Sequence, residues 1–142
     1  MTGDNNPSTR RCLLTGAGGY VGSRIARRLR ADGWQVTALS RQPSHDVEQT
    51  IPFKLGDPTD PDKLRGFDAL IHAAYDQRVI TWSEIETVNV RGSQSLLGAA
   101  HQAGVRNIVF ISTISAFDGC KSLYGKGKLA VEATAREFGA WI

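Results

Sequence analysis

Cysteine is nearly absent from this 142-residue chain: Cys12 lies in an apolar run and Cys120 in a loop-like stretch, and the two match neither a disulfide framework nor a metal-ligand spacing. Both are expected as free thiols. Histidine is as sparse, and His45, His72 and His101 are too scattered to suggest a metal site, so no metal is expected. No run approaches the roughly 18 apolar residues of a membrane span, and Met1 to Arg10 is polar where a secretory signal would be apolar. The reading is a soluble, cytoplasmic protein with no membrane partner. Blocks of like charge are also missing, and 17 basic against 14 acidic residues leave a net charge of only +3. Arg24, Arg27, Arg28 and Arg30 gather in one segment, but no aromatics interleave with them and no nucleic-acid-reading motif accompanies them. They read as a solvated helix face, and nucleic acid is not an expected partner.

What the chain does have is 41% hydrophobic residues, enough for one core in one domain, arranged in a regular rhythm. Short apolar runs at Cys12 to Thr15, Gln35 to Leu39, Ile51 to Leu55, Ala69 to Ala73 and Ile108 to Ser112 read as strands of a parallel sheet, buried on both faces. Helix-like patterns separate them, as an α/β fold requires. Val21, Ile25 and Leu29 fall four apart on one stripe, with the arginines outside and Gly33 as the stop. Thr81 and Glu84 spell a capping box ahead of Ile85, Val88, Leu96, Ala99 and Ala103, which predicts one long helix ending at Gly104. A last helix is predicted from about Leu123 to Phe138, closed by Gly139, and Ala140, Trp141 and Ile142 read as the opening of a sixth strand. Residues 1–10 have the composition of a flexible tail, which leaves residues 11–142 as the domain.

TGAGGYVG at residues 15–22 falls between the first strand and the first helix, where free N–H groups and the helix dipole face an anion. Its better parse is GxxGxxG through Gly16, Gly19 and Gly22: a tight turn, a close approach of backbone to phosphate, and a close packing of helix on strand. With Gly18, Tyr20 and Val21 these residues are the expected pyrophosphate cradle of a Rossmann-type, doubly wound parallel sheet. At the end of the second strand an acidic residue would hold the adenosine ribose 2′-OH, whereas an arginine suits a 2′-phosphate. The chain carries Ser40 and Arg41 there, so NADP is favoured over NAD, with Arg24 as a possible helper.

Tyr124 and Lys128 are four apart on a predicted helix and share a face. A phenol is a poor base at neutral pH, and a neighbouring ammonium stabilises its phenolate, making it a usable proton shuttle. At this point the chain resembles the extended short-chain dehydrogenase/reductase family, which includes NAD(P)-dependent epimerases and dehydratases. TGAGGYVG matches that type's TGxxGxxG; Gly56-Asp57-Pro58 is similar to the stretch whose Asp contacts adenine; Ile71-His72-Ala73-Ala74 is similar to the fourth-strand motif lying against the cofactor. Asn89-Val90-Arg91-Gly92 resembles the Asn-x-x-Gly of the next helix, and Ser112-Thr113-Ile114-Ser115 with Tyr124 and Lys128 resembles the Ser/Thr, Tyr, Lys catalytic set.

The resemblance implies cofactor contacts at Asp57, Ala73, Ala74, Asn89, Tyr124 and Lys128, with Tyr124 as general acid/base. Lys128 would bond the nicotinamide ribose and tune Tyr124, and Thr113 or a neighbouring hydroxyl would orient the substrate oxygen. It implies an epimerase, dehydratase or reductase acting on a hydroxyl or carbonyl of a small molecule, with nucleotide sugars among the candidate substrates. Thr113 and Tyr124 are only eleven positions apart and Phe117-Asp118-Gly119 stands where many members carry Tyr-Gly, so an atypical substrate pocket is expected. The likeness covers the family's N-terminal, cofactor-binding portion, and the sheet is expected to be cut off after its fifth strand and the helix behind it. A homodimer or a complementing C-terminal segment would then cover the exposed edge. The rival reading is a dinucleotide-binding sensor or an inactive fragment, which binds cofactor and catalyses nothing.

Overall fold

The computed structural model describes residues 8–142; most of the expected tail lies outside the described residues. Five parallel strands, β1 (Arg11–Thr15), β2 (Gln35–Ser40), β3 (Gln49–Pro52), β4 (Ala69–His72) and β5 (Asn107–Phe110), form one sheet in the order β3-β2-β1-β4-β5. The chain winds outward from β1 to β3 and then crosses back to β4 on the other side of β1. Helices cover both faces: α1 (Tyr20–Ala31), α4 (Leu123–Glu137), and a continuous run made of α2 (Trp82–Ile85), a π-helical segment (Glu86–Arg91) and α3 (Gly92–Gln102). No helix among the described residues is long and apolar enough to cross a membrane.

Alternation along β1 explains the layering. Leu13 points into the larger core with Leu70, Leu96, Phe110 and Val131, while Leu14 points into the smaller one with Ala26, Val36 and Val47 beneath α1. The stripe expected on α1 is rotated from its sequence reading. Gly22 and Ala26 are the buried positions, Ile25 and Leu29 flank them, and Val21 is exposed. Small residues face the sheet because α1 lies close against the glycine turn.

Two other expectations need correction. The third strand begins two residues earlier and ends three earlier than its apolar content suggested, and it is half-exposed because it is the sheet's edge. Edge position is what admits Pro52, whose missing N–H costs no ladder bond there. Phe53 leaves the strand and packs on the larger core from a loop, so the apolar run outlasts the extended backbone. The second is the exposed edge of β5, because the strand opening expected at Trp141 does pair, in parallel with Val109: Trp141 N–H donates to Ile108 O and Phe110 N–H to Trp141 O, each at 2.8 Å. The outer edge of β5 is therefore partly paired. A short 3₁₀ turn at Pro61–Leu64, capped by Asp60, was not foreseen. The capping box is present, with Thr81 accepting from Glu84 N–H and Glu84 reaching back to Thr81 N–H.

Candidate active site

The sheet's direction of winding reverses between β1 and β4, so the loops leaving those strands part and open a crevice at their C-terminal ends. Gly16 begins the loop after β1 with φ +72°, a conformation costly for a residue with a Cβ. A methyl group on Gly16 would also meet Ala73 C and O at 3.0 Å. At Gly22 it would fall inside the radius of Gly16 O. The first turn of α1 is thus pressed onto the turn it follows. Gly19 N–H closes that turn on Gly16 O at 3.0 Å, and a Cβ on Gly19 would lie 3.3 Å from the same oxygen, whereas Gly18 faces open space. No side chain caps α1, so the N–H groups of its first turn are offered to the crevice. This cradle fits a pyrophosphate.

The crevice has a volume of about 350 Å³, with Gly16, Ser40, Arg41, Lys54, Ala74 and Asp76 among its lining residues. An adjoining cleft of about 330 Å³ runs from Arg41 to Asp57 along β3. Arg41 is exposed at both mouths, whereas Arg24 is taken up locally, stacked 3.6 Å from the centre of the Tyr20 ring and bonded to Tyr20 O at 2.9 Å. Opposite Arg41, Asp76 pairs with Arg78 at 2.7 Å; hydrogen bonds from Arg78 hold its carboxyl down at about 2.

Buried polar side chains organise the floor. Thr15 Oγ1 accepts from Ala73 N–H (3.0 Å) and Ala74 N–H (3.1 Å), so its own proton goes to His72 Nδ1 at 2.7 Å. His72 Nε2 then carries the ring proton and donates to Ser93 Oγ at 2.8 Å. Burial, with a smaller contribution from Lys128, pushes His72 down to about 3, so the ring is neutral at physiological pH. Asn89 is also buried, and both ends of its amide are engaged by the backbone of Asp76: Oδ1 accepts from Asp76 N–H (2.8 Å) and Nδ2 donates to Asp76 O (3.0 Å). Burial likewise pushes the Cys12 thiol up to about 12, and both cysteines are free.

Across the crevice, Ser122 caps α4 by accepting from Gly125 N–H at 3.0 Å, which places Tyr124 and Lys128 in its first turns. Tyr124 is 38% exposed and Lys128 only 4%. Lys128 Nζ donates to Ile111 O at 2.8 Å and lies 5.9 Å from the centre of the Tyr124 ring. Burial lowers Lys128 to about 8. One turn later Glu132 accepts from Ser112 Oγ at 2.5 Å and from Arg136 at 3.1 Å, so α4 grips the end of β5 at two successive residues. Thr113 follows, half-buried, with its hydroxyl accepting from Ser115 N–H at 3.2 Å. Two features had no readable signal: Gly125 lies where a Cβ would collide with Ser115 O, and Tyr75 stands edge-on to Tyr124 with ring centres 4.8 Å apart. Both are contacts between segments distant in the chain.

A site at the reversal of a doubly wound sheet, over an uncapped helix start, defines a dinucleotide-binding domain of the Rossmann class. More particularly, the chain belongs to the NAD dependent epimerase/dehydratase family, whose model matches residues 12–139. It is 31% identical over 144 residues to the N-acetyl-alpha-D-glucosaminyl-diphospho-ditrans,octacis-undecaprenol 4-epimerase of Escherichia coli O157:H7, covering 89% of this chain and 43% of the epimerase. With the ceramide reductase of Caulobacter vibrioides (strain NA1000 / CB15N) it shares 32% identity over 130 residues, 87% of this chain and 41% of that one. The solved structure of MoeE5 in complex with UDP-glucose and NAD is similar with a TM-score of 0.75 at 30% identity, over 90% of this chain and 48% of that one. The chain spans less than half the length of each of these relatives.

Proposed function

We propose that this protein is an NAD(P)-dependent epimerase, dehydratase or reductase of the extended short-chain type, acting on a hydroxyl or carbonyl group. A nucleotide sugar is the favoured substrate class, on the strength of the relatives bearing epimerase names and the UDP-glucose held by MoeE5. The carrying observation is the pairing of an accessible Tyr124 with a buried Lys128 beside the glycine-lined crevice. A bound nicotinamide would supply hydride exchange at its C4. Gly16, Gly18, Gly19 and the N–H groups of Tyr20, Val21 and Gly22 would hold the pyrophosphate, with Ala73 and Ala74 as the opposite wall and Asp57 toward the adenine. Asn89 would act through the loop it grips.

Tyr124 would pass a proton to or from the substrate oxygen, with Lys128 supplying the positive charge against which that proton moves. Thr113 would orient the same oxygen once its hydroxyl turns from Ser115. Arg41, with no acid at the end of β2, supports a preference for the 2′-phosphate of NADP. The exposed side chains of Ile114, Phe117 and Leu123 suit cover by a substrate-binding segment or a second copy.

Calorimetry with NADH and NADPH, followed by turnover assays on carbonyl substrates in the full-length protein, tests this reading. Tyr124→Phe should keep cofactor and abolish turnover, Lys128→Ala should impair both, and Arg41→Ala should weaken NADPH alone by roughly 1.5 to 3 kcal/mol. Activity surviving in Tyr124→Phe would sink the shuttle, and parent NADH binding tighter than NADPH would sink the NADP preference. Binding without turnover on any substrate would favour the sensor.

A further inference from the structure

Beyond β4 the chain leaves the sheet, and residues 73–76 are held by side chains rather than by a neighbouring strand. Thr15 takes the N–H groups of Ala73 and Ala74, and Asn89 takes both the N–H and the C=O of Asp76. Thr15 and Asn89 are themselves buried, so both clamps are fixed. Tyr75 is the residue between them. It stands in none of the motifs that the sequence offers, yet its position is as tightly set as theirs.

The clamps aim Tyr75 at the proton-shuttle pair. Its ring meets that of Tyr124 at 78°, the edge-to-face arrangement favoured by aromatic quadrupoles, and its centre lies 5.4 Å from Lys128 Nζ. The Phe110 ring lies 4.8 Å from the same nitrogen and the Tyr124 ring 5.9 Å. Three aromatic rings therefore surround an ammonium whose hydrogen bond goes to Ile111 O. Gly127 lies beside this group: a Cβ there would press on Ile85 Cγ2 at 3.1 Å and meet the Tyr75 hydroxyl at an ordinary contact distance of 3.9 Å.

We propose that Tyr75 is a positioning residue of the Tyr124–Lys128 pair, its ring closing one side of the enclosure around the Lys128 ammonium and bracing the Tyr124 ring edge-on. The catalytic meaning of that pair rests on the function proposed above; the enclosure itself does not. The ring does this work and the hydroxyl does not, since a quadrupole and an excluded volume are what an ammonium and a neighbouring ring respond to. Burial and the nearby Tyr124 raise the Tyr75 phenol, which keeps it neutral. The other titratable groups around Lys128 are accounted for. His72 on β4 is neutral, and the Glu132 carboxylate on α4 is engaged by Ser112 and Arg136.

The test follows the ε-carbon resonance of Lys128 through a pH titration of lysine-labelled protein, assigned by its loss in Lys128→Arg. Tyr75→Ala removes one ring face but admits water to the ammonium, and because burial is what lowers Lys128 the rehydration should win, moving its titration up toward the ordinary lysine range by about one pH unit or more. Tyr75→Phe should leave it where it is in the parent. An unmoved titration in Tyr75→Ala, or an equal shift in Tyr75→Phe, would overturn the proposal. Because the chain has only three tyrosines, ring-to-ring nuclear Overhauser contacts between Tyr75 and Tyr124 can also be sought in the parent, with no variant at all. Their absence would overturn the bracing contact even if Tyr75→Ala failed to fold. Calorimetry with NADH and NADPH on the parent separates the two readings: failure to bind either would refute the proposed function and leave the lysine titration to judge Tyr75.

Discussion

Gly18 in the turn and Gly22 in the first turn of α1 belong to one glycine motif and answer a methyl group in opposite ways. A Cβ on Gly18 would enter open space, so Gly18→Ala should leave stability unchanged or raise it by roughly 0.4 to 1 kcal/mol through the unfolded chain. On Gly22 it would collide with Gly16 O, a backbone atom that cannot step aside. Gly22→Ala should cost about 1 to 3 kcal/mol in urea unfolding and abolish dinucleotide binding in calorimetry. The glycine spacing was legible because it serves local backbone geometry; which glycine touches which backbone was not. His72 makes the same point with a pH signature. Its folded value of about 3 lies below the ordinary imidazole value of 6.5, so the unfolded chain binds the extra proton between those limits. Stability should therefore fall as pH drops from 6.5 toward 3, by on the order of 5 kcal/mol at most from this group. Urea unfolding at stepped pH checks this, and in His72→Asn that part of the slope should vanish.

In the long helical run between β4 and β5 the sequence showed its start and its stop and concealed its middle. Thr81 and Glu84 are a local signal and do form the capping box; Thr81→Ala should cost about 1 kcal/mol in thermal or urea unfolding. The π segment has no such signal. It carries Asn89 onto the Asp76 backbone and precedes Gly92, whose Cβ would lie 2.5 Å from Gly56 N, so both residues meet loops on the same side of the sheet. Asn89→Ala leaves the N–H and C=O of Asp76 without their side-chain partner and should cost roughly 1 to 3 kcal/mol. Because Asn89 holds the segment that lines the crevice, dinucleotide affinity should fall with it. Unchanged affinity by calorimetry in a folded Asn89→Ala would break that link. In α4, two glycines near the N-terminus look unfavourable by propensity, at about 1 kcal/mol each. They persist because Gly125 must clear Ser115 O and Gly127 must clear Ile85.

Across the molecule the sheet extends past β5 through the single bridge at Trp141. The bridge is made by backbone, and the Trp141 side chain is 74% exposed. Trp141→Ala should thus change stability by less than about 0.5 kcal/mol. Trp141→Pro removes the N–H donated to Ile108 O and should cost about 1 kcal/mol, with faster amide exchange at Phe110. Equal effects of the two substitutions would mean that the side chain, rather than the backbone, holds this edge. The lining residues of the crevice, Gly16, Ser40, Arg41, Lys54, Ala74 and Asp76 among them, all fall within residues 12–139, the stretch that the family model matches.

Strand and helix order, the glycine turn and the Tyr124–Lys128 spacing could be read directly from the chain, since each depends on residues within a few positions of one another. The end of β3 could not, because Phe53 is apolar for the sake of a loop packed on the core. Nor could the Thr15–His72–Ser93 relay, whose members are separated by 57 and 21 positions and meet only once β1, β4 and α3 are packed. Tyr75 is the same case: its effect on Lys128 needs two clamps and a ring on β5, all supplied by separate elements. Periodicity and turn chemistry are properties of neighbouring residues, whereas burial, proton placement and ring contacts belong to pairs that the folded sheet brings together.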